Sequence, residues 1–128
     1  TRLQGDWSSD VCSSDLHAKG YPIVSSMGAG GKTDPTMIEI SDISKVHHCK
    51  LARYVRKRLH RNDIRHGIIA VFSPEEVSED ALALTENTQN KVSYYGTISY
   101  IPASFGAHCA SVVLRDLIGV LPKLKKRK

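Results

Sequence analysis

Three groups of residues in this chain have types and spacings that suit chemistry. The first is Gly28-Ala29-Gly30-Gly31, followed by Lys32 and then Asp34-Pro35-Thr36. Glycines behind a strand let the backbone come close to a phosphate or carboxylate, and Lys32 would add charge there. The loop lacks the Gly-x-Gly-x-x-Gly spacing and no helix clearly follows it, so it fits neither standard phosphate-binding pattern. A tight strand-to-turn connection would use the same residues. The second group is the dense basic run Arg53, Arg56, Lys57, Arg58, His60 and Arg61. On a helix it offers a face to RNA phosphates, or simply a solvated surface over an apolar stripe. The third is His47-His48-Cys49, with His108-Cys109 further on. Adjacent residues point in different directions, so neither chelates a metal without help from elsewhere, and no metal is expected. Cys109 reads as an inert thiol buried in an apolar helix, because a reactive one needs exposure and a low pKa.

These groups need elements to position them. Pro22 to Met27 is short, apolar-leaning and rich in strand formers, and the glycine loop ends it, so it predicts a buried strand. Asp34-Pro35 predicts a turn. Met37 to Ile43 alternates in part and predicts a second strand. From Lys50 to Arg61, Leu51, Tyr54, Val55 and Leu59 recur at helical spacing, which predicts a helix with these four on its inner face and the basic residues outside. Gly67 to Ser73 predicts a third strand, stopped by Pro74. Residues 74–95 are polar and show no clear period, and are expected to be an exposed loop. Thr97 to Ile101 predicts a short extended piece. Pro102 then opens a last helix, from about Ala103 to Val120. It is apolar nearly all round and is expected to be buried, with Gly106, Ala107, Ala110 and Ser111 allowing close approach. Residues 122–128 form a basic tail. The fold class is α/β with few strands, one basic amphipathic helix and a buried C-terminal helix.

The segment Asp6 to Leu16 reads Asp-Trp-Ser-Ser-Asp-Val-Cys-Ser-Ser-Asp-Leu, which matches, in order, one reading frame of a common sequencing adapter. Residues 1–16 are therefore expected to be non-native and unstructured, with the native sequence resuming near His17 inside a longer protein. Leaving them out removes one arginine and three aspartates, which raises the net charge from +5 to +7. A basic balance favours anionic partners, nucleic acid first, although it also serves ordinary solubility. Cys49 and Cys109 stand far apart, with no Cys-x-x-Cys pair for zinc and no disulfide framework, and a reducing cytoplasm fits best. No apolar run reaches the roughly 20 residues that span a bilayer.

Tyr21-Pro-Ile-Val-Ser-Ser-Met-Gly-Ala-Gly-Gly-Lys-Thr-Asp-Pro-Thr36, followed by Ile38-Glu-Ile-Ser-Asp-Ile-Ser-Lys45, closely resembles the tRNA threonylcarbamoyladenosine dehydratases (TcdA/CsdL). Leu51 to Leu59 and Gly96-Thr-Ile-Ser-Tyr-Ile-Pro-Ala-Ser-Phe-Gly106 extend the likeness. That family lies in the ThiF/MoeB superfamily, which is similar in fold to ubiquitin-activating enzymes, and the likeness covers roughly the C-terminal half of a family chain. It implies the C-terminal part of a Rossmann-like ThiF-type fold, over residues 17–121. One strand would come from the parent sheet, beside a small mixed or antiparallel sheet. It implies an adenylating, ligase-type enzyme that uses ATP and Mg²⁺ to cyclise threonylcarbamoyladenosine in the tRNA anticodon loop. A homodimer and sulfur-relay partner proteins are also implied. Gly28, Ala29, Gly30, Gly31, Lys32, Asp34, Pro35 and Thr36 would border the nucleotide or the modified base. Arg53, Arg56, Lys57, Arg58 and Arg61 would contact tRNA. The nucleotide loops of the family's other half have no counterpart here, so the chain alone is expected to hold no cofactor and to be inactive. Two departures stand out. A cysteine that some members carry before the Gly96 segment is replaced by Lys91-Val-Ser-Tyr-Tyr95, and Cys49-Lys50 stands where others have Asp-Pro. A sulfur-carrier adenylyltransferase would bring paired zinc cysteines, which are missing. A free-standing basic RNA-binding module is the remaining alternative, and it requires a genuine start near His17.

Overall fold

The computed structural model describes residues 13–77, 82–85 and 92–120, with the backbone alone described at 82–85 and 92–95. Three strands, β1 (Val24–Ser26), β2 (Glu39–Asp42) and β3 (Ile69–Phe72), form one mixed sheet in the order β1-β3-β2. β3 is the centre: it pairs parallel with β1 and antiparallel with β2. Its sequence is a continuous apolar run, Ile69-Ala-Val-Phe72, because it is covered on both faces. Alternation along the strand sends Ala70 and Phe72 to one face and Val71 to the other. The first face meets helix α1 (Lys50–Arg61) through Ala52 and Leu59, in a core that also holds Met27, Ile43, Val46, Ile64 and Ile68. The second face meets helix α2 (Tyr100–Leu117) through Ile101 and Phe105. The result is three layers, helix, sheet and helix.

The helix predicted over Lys50–Arg61 has those bounds. Cys49 caps it, its Sγ accepting from the Ala52 N–H at 3.4 Å, and Arg58, His60 and Arg61 in the last turn suit the negative end of the helix dipole. Its inner face differs from the expectation. Ala52 and Leu59 are buried and Val55 is half-buried, whereas Leu51 and Tyr54 face solvent. Ala52 and Leu59 share the core with Phe72, and with that side of the helix turned inward Tyr54 faces outward.

Four other expectations are corrected. Residues 74–95 are not one loop: β4 (Leu82–Thr85) and β5 (Val92–Tyr95) pair antiparallel, Leu82 opposite Tyr95 and Thr85 opposite Val92. They lie in a polar stretch without a clear period, so no local pattern marks them as strands. The extended piece at 97–101 instead leads into α2, which starts at Tyr100 and ends at Leu117. Pro102 sits inside the first turn, where its missing N–H costs nothing. That helix is not buried all round. Ile101, Phe105 and Val112 are buried, but Val113, Leu114, Leu117 and Ile118 are exposed, as are Gly106, Ala107 and Ala110. One sheet face can bury one stripe of a helix, and among the described residues nothing covers the other. Finally, residues 13–18 are helical, so the part of the N-terminal segment that is described is not unstructured. Residues 1–12 and the basic tail at 122–128 lie outside the described residues. Among the described residues, no helix is long and apolar enough to cross a membrane.

Candidate functional site

Parallel strands end at the same sheet edge, so the segments that follow β1 and β3 meet there. The glycine loop leaves β1 and Ser73-Pro-Glu-Glu-Val77 leaves β3, and the two are tied together. The Glu75 carboxylate accepts from the Thr33 N–H (2.9 Å), the Asp34 N–H (2.9 Å) and the Thr33 hydroxyl (2.8 Å). Lys32 is 3% exposed, and its ammonium donates to the carbonyl of His48 at 3.1 Å and to that of Glu75. Two further bonds fix the loop to the start of α2: the Gly31 N–H donates to the Gly96 carbonyl (2.8 Å), and the Tyr100 hydroxyl to the Thr33 carbonyl (2.8 Å). Gly31 has φ +72°, and a Cβ there would collide with the Val77 side chain, so glycine is required on both counts.

The electrostatics follow from this wiring. Partial burial alone would push the Glu75 carboxyl up. The Asp34 and Thr33 backbone N–H groups, the Thr33 hydroxyl and the nearby Lys32 charge outweigh it and hold the group below the usual carboxylate value. Asp34 is also lowered, by the Thr36 hydroxyl first and then the Thr36 N–H, both of which donate to its Oδ1. It thereby caps a single 3-10 turn, Pro35–Met37. Burial pushes the Cys109 thiol up, so it stays protonated and packs among the apolar residues beside Phe105.

A cavity of about 760 Å³ opens between this loop, residues 46–49, the first turns of α1 and Glu76–Val77. Gly28, Gly30 and Lys32 line one side, and Lys50, Leu51, Arg53 and Arg56 the other. Among the described residues its one carboxylate is Glu76, which lies 3.6 Å from the His48 ring. The basic side chains outnumber it, so the cleft suits an anion. His48 has φ +51°, uncommon outside glycine, and the Lys32 bond to its carbonyl helps hold it. Among the described residues, no group of three or more His, Cys, Asp or Glu side chains could hold a metal.

The structure brings together part of what the sequence singles out. Gly28, Gly30 and Lys32 share the cleft with Arg53 and Arg56. Ala29 packs instead on the core beneath α2, and Asp34, Pro35 and Thr36 form the turn beyond. Lys32 faces inward as a fastener, where the sequence points to charge for a ligand. Arg56 is half-buried and donates to the carbonyls of Ile43 (3.2 Å) and Val46 (2.6 Å), which makes it a brace for α1. Arg53, Lys57 and Arg61 are exposed, and Arg58 is half-exposed. Sequence reasoning missed Glu75 and Tyr100. Glu75 had one available signal: it lies just past a predicted strand whose parallel neighbour ends in the glycine loop.

This architecture is shared with solved structures. E. coli tRNA N6-threonylcarbamoyladenosine dehydratase, TcdA, in complex with ATP superposes with a TM-score of 0.67 at 25% identity, over 83% of this chain and 41% of that one. The fold is of the ThiF type in the part the chain spans. No protein-family profile matches the chain. Among curated proteins, the tRNA threonylcarbamoyladenosine dehydratase of Bacillus subtilis is 34% identical over 107 residues, 78% of this chain and 42% of that protein. The Haemophilus influenzae enzyme of the same name is 33% identical over 101 residues, 71% of this chain and 39% of that protein. The chain belongs to the tRNA threonylcarbamoyladenosine dehydratase family and spans about two-fifths of the length of these bacterial relatives.

Proposed function

We propose that this chain works as part of a cytoplasmic, ATP-dependent tRNA threonylcarbamoyladenosine dehydratase. The observation that carries the reading is the 34% identity over 107 residues to the Bacillus subtilis enzyme. ATP with Mg²⁺ supplies the activation: it makes the substrate carboxylate oxygen a leaving group, so that ring closure proceeds with net loss of water. Among the described residues, the end of the glycine loop is not arranged as a nucleotide cradle. The glycine loop runs into a 3-10 turn that starts at Pro35, which has no N–H to offer, and the Thr33 and Asp34 N–H groups are taken by Glu75. The nucleotide is therefore assigned to the remaining three-fifths of the full-length protein, and no activity is assigned to this chain alone. Its own share is the loop of Gly28, Gly30 and Gly31 beside the cleft, and a cationic surface for the RNA backbone on Arg53, Lys57 and Arg61.

The test is nucleoside analysis by mass spectrometry of threonylcarbamoyladenosine-bearing tRNA incubated with ATP and Mg²⁺. The full-length protein is expected to convert the nucleoside to its dehydrated, cyclic form, and the 128-residue chain to leave it unchanged. A full-length protein without ATP-dependent conversion would overturn the reading.

A further inference from the structure

The outer face of α1 carries an aromatic residue in an unusual setting. Tyr54 is 68% exposed, although the helix has an apolar side that buries Ala52 and Leu59. Residues three and four apart are neighbours on a helix surface. Lys50 and Leu51 therefore flank Tyr54 on one side, and Lys57 and Arg58 on the other, with Arg61 one turn further on. The ring stands on a helix anchored by Leu59 in the core and braced by Arg56, so the backbone that carries it is held in place. Leu51, next to it, also lines the cationic cleft.

We propose that Tyr54 is a stacking platform for one unpaired nucleobase, with the exposed Lys57 and Arg61 holding the adjoining phosphates. This rests on the RNA reading above and names what part of the RNA this face takes: a single-stranded segment. An exposed tyrosine ring is a flat, sequence-tolerant partner for any base, and cations at its rim match the backbone that leads to and from that base. Duplex RNA keeps its bases stacked on one another, so it would use the cations and leave the ring unused.

The experiment is fluorescence anisotropy with the full chain and two labelled probes, an unstructured RNA oligonucleotide and a blunt-ended RNA duplex stem, each over a range of salt. Tyr54→Ala is expected to weaken single-strand binding about tenfold, in keeping with alanine replacements at stacked bases. Its affinity for the stem and its salt slope should stay those of the wild type. Tyr54→Phe, which keeps the ring, should bind within about twofold of wild type. Circular dichroism melts of both variants should match wild type, since the site is exposed. If wild type binds the single strand and Tyr54→Ala binds it equally, the stacking proposal falls while the RNA reading stands. Tyr54→Phe as weak as Tyr54→Ala also overturns stacking, as does an equal loss on the stem. Wild-type chain with no salt-dependent RNA binding at all removes both.

Discussion

Two helices cover the two faces of one small sheet, and their outer surfaces are opposites. Outside, α1 presents Arg53, Lys57, Arg61 and one tyrosine. Outside, α2 presents Val113, Leu114, Leu117 and Ile118, with Leu117 76% exposed. Their inner faces do the same job: Ala52 and Leu59 on one, Ile101, Phe105 and Val112 on the other, all buried. Burial on β3 therefore accounts for one stripe of each helix and leaves the rest of each sequence to other demands. For α1 that demand is charge, at the cleft and beyond it. For α2 the outer face stays apolar, and among the described residues nothing covers it.

The largest effect expected is on the shared inner task. Phe105→Ala should destabilise the fold by about 3–5 kcal/mol, the usual cost of emptying a buried aromatic site. A urea titration followed by circular dichroism measures it, and a loss below 1 kcal/mol would mean that α2 is not seated on the sheet as described. A smaller effect is expected at the polar edge that both strands share. Glu75→Gln keeps the shape but removes the charge that the Thr33 and Asp34 N–H groups bind, and should cost about 1 kcal/mol at neutral pH, after discounting for solvent. The folded-state value of this carboxyl lies below its ordinary 4.5. Its stabilisation is thus complete above that value and fades as pH falls through the folded value below it. Urea midpoints of wild type and Glu75→Gln should accordingly converge between pH 7 and pH 3; a gap that stays constant would refute the clasp. The smallest effect on stability, within about 0.5 kcal/mol, is expected for Leu117→Ser on the outer face of α2. The same urea titration measures it, and a loss above about 1 kcal/mol would mean that the outer face of α2 is packed rather than exposed.

Legibility in the sequence tracked how strongly each segment's pattern was forced by its surroundings. The bounds of α1 were readable because basic and apolar residues alternate at helical spacing between Cys49 and Asn62. The strand at β3 was readable as an apolar run, and the family as a string of loop residues from Tyr21 to Thr36. The paired strands β4 and β5 were not, because they lie in a polar stretch without a clear period and gain their order from each other. The burial of α2 was misjudged because its apolar composition states no direction. The outward turn of Tyr54 is not legible, because Leu51, Tyr54, Val55 and Leu59 are all apolar enough to share one stripe, and tertiary packing decides which of them are buried.

Local pattern by itself determined the helix at Lys50–Arg61, the apolar central strand, the glycine loop and the kinship with the dehydratases. Those features rest on propensity, periodicity and residue order, which act over a few neighbours. The tertiary structure alone decided that Lys32 is a buried fastener, that Arg56 braces a helix, that Glu75 closes the glycine loop and that Tyr54 faces outward among cations. The first three depend on contacts between residues 10 to 43 positions apart, and the last on which side of the helix the core takes. Their meeting is set by packing and by the need to satisfy buried polar groups, which no local pattern carries.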